Sequence, residues 1–120
     1  MRLRRGILAL LLPALMAAAG CHSYHVETTV VNRTGQTIQL LEVEYPSASF
    51  GADRMAAGEI LHYRIQLRDR GPLKVQYTAS NGQLVKAQGP EVAERQEGRL
   101  EIVLLPDGTA EFHAALTPQP

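Results

Sequence analysis

Ile60-Leu61-His62-Tyr63-Arg64-Ile65-Gln66-Leu67 alternates without interruption, Leu61, Tyr63, Ile65 and Leu67 on one side and His62, Arg64 and Gln66 on the other. A period of two is the signature of a strand with one face in a core and one in water. The same pattern recurs on both sides of this stretch. Leu73, Val75 and Tyr77 alternate with Lys74, Gln76 and Thr78, and Val26, Thr28 and Val30 with Glu27, Thr29 and Val31. Further strands are read at 37–45, 83–88, 99–105 and 109–115, and a short segment runs to Met55. Between them stand turn residues: Asn32-Arg33-Thr34-Gly35, Ala57-Gly58-Glu59, Arg68 to Pro72, Ser80-Asn81-Gly82 and Pro106-Asp107-Gly108. Asn-Gly and Asp-Gly supply the positive φ that tight hairpins require. Seven or eight short strands at this spacing predict an all-β domain, an antiparallel immunoglobulin-like β-sandwich, with a small β-barrel as the alternative.

Two places depart from simple alternation. In Ile38-Gln39-Leu40-Leu41-Glu42-Val43-Glu44-Tyr45 the apolar phase changes between Leu40 and Leu41. A one-residue slip would turn every later side chain to the opposite face, so a β-bulge is expected there. Residues Pro46 to Gly51 read as a loop with Phe50 in its middle, and residues 89–98 as a long polar connection. Tyr45, Pro46, Ser47, Ser49 and Phe50 form a candidate binding loop for a peptide or sugar ring; alternatively Phe50 folds back to plug one end of the sandwich.

Ahead of the domain, Arg2, Arg4 and Arg5 precede an apolar run from Ile7 to Ala19, and small residues lead into Cys21. This is the order of a secretory signal. The run is shorter than the roughly 20 residues a helix needs to cross the hydrocarbon core and contains Pro13, so it makes no lasting anchor. Ala18-Ala19-Gly20-Cys21 resembles a bacterial lipobox. The resemblance implies cleavage between Gly20 and Cys21, a diacylglyceryl group on the Cys21 thiol and acylation of the new amino terminus. The departure is Ala18, where lipoboxes most often carry leucine. The alternative is an ordinary signal peptide that leaves Cys21 a free thiol.

These readings divide the chain into a signal at 1–20, a lipidated cysteine and tether at 21–23, a sandwich at 24–116 and a frayed tail at 117–120. The mature part is also similar to small uncharacterised bacterial lipoproteins with one sandwich domain. The likeness rests on Asn32-Arg33-Thr34-Gly35, the stretch Tyr45 to Gly51, Gly71-Pro72-Leu73-Lys74-Val75 and Gly98. It implies the fold and an envelope location. His22 stands where an aspartate would resemble an inner-membrane retention signal, so the inner leaflet of the outer membrane, facing the periplasm, is expected.

Composition narrows the rest. The whole chain carries 12 basic and 12 acidic residues, and the leader holds three of the basic ones. The mature part is therefore net acidic, which argues against nucleic acid as a partner. A lone cysteine forms no internal disulfide, so stability must come from an apolar core. Chemistry is sparsely signalled. His22 and His25 have a metal-like spacing, but His62 and His113 fall on outward strand positions, and all four histidines read as solvated. Ser47 or Ser49 with His62 and Asp53 lacks any nucleophile-elbow frame, and Glu42 and Glu44 share a solvated strand face. The expectation is a non-catalytic module without metal or cofactor, held on the membrane by Cys21 and binding an envelope protein, a peptide or a glycan.

Overall fold

The structure, a computed structural model, describes residues 23–118. The leader, Gly20, Cys21 and His22 lie outside the described residues. Eight strands follow in order: β1 Val26–Asn32, β2 Ile38–Tyr45, β3 Ala48–Met55, β4 Ile60–Ile65, β5 Gly71–Thr78, β6 Leu84–Val92, β7 Gly98–Leu104 and β8 Ala110–Leu116. They form two four-stranded sheets, β4-β1-β7-β8 and β3-β2-β5-β6, packed face to face as a sandwich. Alternation puts Val26, Val30, Leu100, Ile102 and Leu104 of the first sheet against Ile38, Leu41, Val43, Leu73, Val75 and Tyr77 of the second.

The connectivity of β1 to β6 is that of immunoglobulin strands B, C, C′, E, F and G: β1 pairs with β4, while β3, β2, β5 and β6 form the other sheet. The departure is beside β1. The place of strand A is taken by β7, which runs parallel to β1 from Val26↔Gly98 to Asn32↔Leu104. The sandwich is thus antiparallel except at this one pair. A parallel pair needs a long crossover, here most of the domain, and no local pattern announces it.

The expected bulge is present. The β2–β5 register slips by one residue between Gln39 and Glu42, so Leu40 and Leu41 together oppose Tyr77. Leu40 takes a positive φ of 52° and remains 63% exposed, while Leu41 turns into the core. Gly51, on β3, lets the chains close at this point: a Cβ there would collide with the Leu41 carbonyl oxygen.

A second bulge corrects the reading of residues 89–98. Strand β6 continues to Val92, pairing Gly71↔Val92 and Pro72↔Glu91, with Gly89 and Pro90 as the extra residues opposite Leu73. Proline is tolerated there because β6 is an edge strand and the position is bulged. Val92 and Ala93 are buried, which holds the start of this supposedly polar connection against the core.

The β5–β6 and β7–β8 hairpins share one design. Ala79 N–H donates to Gln83 O at 2.8 Å and Gly82 N–H to Ala79 O at 2.9 Å. Leu105, Thr109 and Gly108 repeat these bonds at 2.9 and 3.2 Å. Gly82 and Gly108 have φ of 85° and 83°, so each loop is three residues closed by a left-handed glycine rather than a two-residue turn. Asp107 accepts from the Thr109 hydroxyl and backbone N–H, and these bonds hold its carboxyl below the usual carboxylate range. The tail is tied at its start, where Thr117 N–H donates to Glu97 O at 2.9 Å.

One buried polar side chain joins the far ends of these elements. Asn32 is fully buried. Its Nδ2 donates to the carbonyls of Gln36 (2.8 Å), Met55 (3.1 Å) and Ala56 (3.0 Å), and its Oδ1 accepts from Thr34 N–H and Oγ1. The Asn32-Arg33-Thr34 sequon therefore has a structural role, its amide nitrogen enclosed. Asn32→Ala removes all five hydrogen bonds of a buried amide, although Gln36 O keeps the Thr34 hydroxyl and Ala56 O keeps Glu59 N–H. Urea denaturation should show a loss of about 3 kcal/mol. Asn32→Asp should cost more at neutral than at acid pH, because a carboxylate would face those carbonyls and protonation relieves it.

Candidate functional site

The stretch Tyr45 to Phe50 is a hairpin, not a loop. Tyr45 pairs with Ala48 across a two-residue turn of Pro46 and Ser47. Proline sets φ at the first position and Ser47 takes φ 89° at the second, the requirement of a type II turn. Ala48 to Met55 then runs as β3. The sequence shows no clear alternation here because the positions flanking Phe50 at a spacing of two, Ala48 and Ala52, are barely hydrophobic.

Pairing along β3 sends Tyr45 and Phe50 inward, at 8% and 7% exposure. Phe50 stacks face to face on Tyr63 of β4, centroids 4.5 Å apart and planes 3° from parallel, and meets Tyr45 at 6.4 Å. Burial, then the neighbouring Tyr63, pushes the Tyr45 hydroxyl above its usual range. β3 and β4 are the edge strands of opposite sheets, so this stack closes one open side of the sandwich. Phe112 of β8 closes the other side against Gly89 of β6, where a Cβ would lie 2.6 Å from the ring. Tyr45 and Phe50 are therefore walls of the core rather than a lip. Of the five residues of the candidate loop, only Ser47 and Ser49 are fully exposed, and Pro46 is partly so.

The hydrolase combination does not converge. Ser47 lies at the turn, whereas Asp53 is six residues along β3, about 20 Å at strand rise. His62 faces outward on β4, opposite Thr29. His113 Nε2 meets Glu111 Oε2 at 3.1 Å, and His25 lies 3.5 Å from the Gln66 amide. Among the described residues no group of three or more metal-ligating side chains converges.

A different surface comes together on the outer face of β2, β5 and β6. Register aligns Glu44, Lys74 and Gln88 in one row and Glu42, Gln76 and Lys86 in the next. These six line a shallow groove of about 430 Å³. Glu42, Glu44, Lys74 and Lys86 are exposed and form no ion pair with one another, although Glu44 and Lys74 are direct cross-strand partners. The groove thus presents carboxylates along β2 and ammonium groups on β5 and β6. Each outward charge is legible in the sequence; that opposite signs lie side by side depends on β2 pairing with β5 across 30 residues.

No protein-family model and no curated protein matches the chain. Among solved structures it is similar to the "NMR structure of the protein from Eubacterium rectale", at TM-score 0.52 and 12% identity, over 78% of this chain and 93% of that one. At that identity the likeness bears on the β-sandwich fold alone.

The aromatic closure is testable. Phe50→Ala should cost about 3–4 kcal/mol by denaturant titration, as a buried aromatic does. Tyr63→Ala, half-exposed, should cost less, and the double-mutant cycle should return a coupling of about 0.5–1.5 kcal/mol. Additive losses would mean that the stack contributes nothing beyond burial.

Proposed function

We propose that the protein is a lipid-anchored component of the bacterial cell envelope, on the periplasmic side of the outer membrane, whose sandwich is a non-catalytic interaction module. The observation that carries this reading is Ala18-Ala19-Gly20-Cys21, with its charged and apolar leader and the lone cysteine at the lipidation position. A single acyl chain holds a protein to a bilayer only marginally, whereas the two or three chains of a lipidated N-terminal cysteine hold it stably. Exposed edge strands give the domain a means of pairing with another chain, and Ile60 and Tyr63 of β4 add half-exposed apolar surface there. Intact mass and membrane fractionation of native protein test the anchor. A diacylglyceryl adduct on Cys21, with Cys21→Ala released from the membrane, is the expected outcome. A free thiol in the soluble fraction would overturn the reading.

The groove favours a second reading, a peptide-binding module. Its lining has charges of both signs and no aromatic ring on which a sugar face could stack, so an extended peptide bearing both lysine and glutamate suits it better than a glycan. Lys74→Gln combined with Lys86→Gln alters exposed positions without setting a carboxylate opposite Glu44, so stability should stay within about 0.5 kcal/mol of wild type. Titration calorimetry with mixed-charge peptides should show affinity falling about tenfold or more, equivalent to roughly 1.4 kcal/mol. Unchanged affinity would remove the groove from consideration.

A further inference from the structure

Strand directions sort the loops onto two poles. β1 begins at Val26 beside Ile65, the end of β4, and Gly98, the start of β7. In the other sheet Gly71 opens β5 opposite Val92 at the end of β6, and Pro46 packs against Gly71. One pole therefore carries residues 23–25, the Pro46-Ser47 turn, residues 66–70, residues 93–97 and Thr117. The opposite pole carries the turns at 33–37, 56–59, 79–83 and 105–109.

The tether belongs to the first pole and is fastened to it. Gly98 N–H donates to His25 O at 3.3 Å, and Ser23 and Tyr24 line a shallow cleft together with Leu67, Arg68 and Arg95. Arg95 N–H donates to Leu67 O at 3.0 Å, joining the two loops that flank the cleft. Only two peptide steps separate Cys21 from Ser23, a reach of at most about 7 Å. Resting on the lipid-anchor reading above, we infer that this pole lies against the phospholipid headgroups, with the strands upright and the Asn32 pole turned away from the bilayer.

Charge does not drive the contact. Arg68, Arg70 and Arg95 are balanced by Asp69, Glu94 and Glu97, so the surface is mixed rather than basic, and a short tether imposes the arrangement. Strands of seven or eight residues set the far pole about 25 Å above the near one. Two consequences follow: the Pro46-Ser47 hairpin faces lipid, and the β2-β5-β6 groove stands on the flank, open to the aqueous space.

With Cys21 consumed by lipid, an engineered cysteine is the only thiol in the mature chain. Asp69→Cys, His62→Cys and Ser80→Cys, all at exposed positions, report the near pole, the flank and the far pole. Each full-length lipidated protein is labelled with a fluorophore and placed in phosphatidylethanolamine–phosphatidylglycerol vesicles bearing a headgroup-attached quencher. Quenching should fall in the order Asp69→Cys, His62→Cys, Ser80→Cys, and should persist in high salt. Equal quenching at all three sites, or an inverted order, overturns the upright arrangement. Intact mass is read on the same samples. If it shows no lipid on Cys21, the anchor reading fails and the upright arrangement falls with it; lipid on Cys21 without the gradient overturns the arrangement alone.

Discussion

The carboxamide of Asn32 is the interaction on which the arrangement of the two sheets depends. It lies at the end of β1, in the first sheet, and its donors reach the end of β3, in the second, and the turn that leads into β2. An apolar side chain at that point would take the amide's bonds from two segments at once, the Gln36 carbonyl in the turn and the adjacent carbonyls of Met55 and Ala56. The backbone of the same residue closes the square, donating to Glu59 O and accepting from Gly58 N–H. Apolar burial brings the sheets together without direction. The asparagine sets how far β1, β3 and the start of β4 advance past one another.

The two bulges work beside that fixed point. Each inserts one residue opposite a buried residue of β5, Tyr77 in one case and Leu73 in the other. They interrupt the register on both sides of β5 and locally bend its neighbours. The two charged rows of the groove lie between the bulges, at Lys74 and Gln76 of β5. The backbone pays for the first bulge locally: Leu40 sits in a left-handed conformation that a leucine adopts only when its surroundings impose it. The open sides, where the sheets diverge, are filled by aromatic rings from edge strands, Phe50 on Tyr63 and Phe112 over Gly89.

Strand existence was legible because burial on one face writes a period of two into the residues, clearest in Ile60 to Leu67 and Leu73 to Thr78. The bulge at Leu40 was legible as well, since a phase change in that period has few structural explanations. Tyr45 to Phe50 reads as a loop because Ala48 and Ala52, on either side of Phe50 along β3, carry too little hydrophobic contrast. Residues 89–92 read as a connection because Gly89 and Pro90, ordinarily breakers, serve here as a bulge in an edge strand.

The sequence by itself determined an all-β domain of alternating strands, the places of most turns, and a leader that resembles a lipoprotein signal. Those features are local: a period, a turn dipeptide or a short ordered run is written in neighbouring residues. Tertiary structure decided the parallel pairing of β1 with β7, the burial of Tyr45 and Phe50, the enclosure of the Asn32 amide and the alignment of Glu42 and Glu44 with Lys74 and Lys86. Each brings together residues separated by tens of positions, and their meeting depends on which strands pair and which face each bulge turns inward. No stretch of neighbouring residues carries that information.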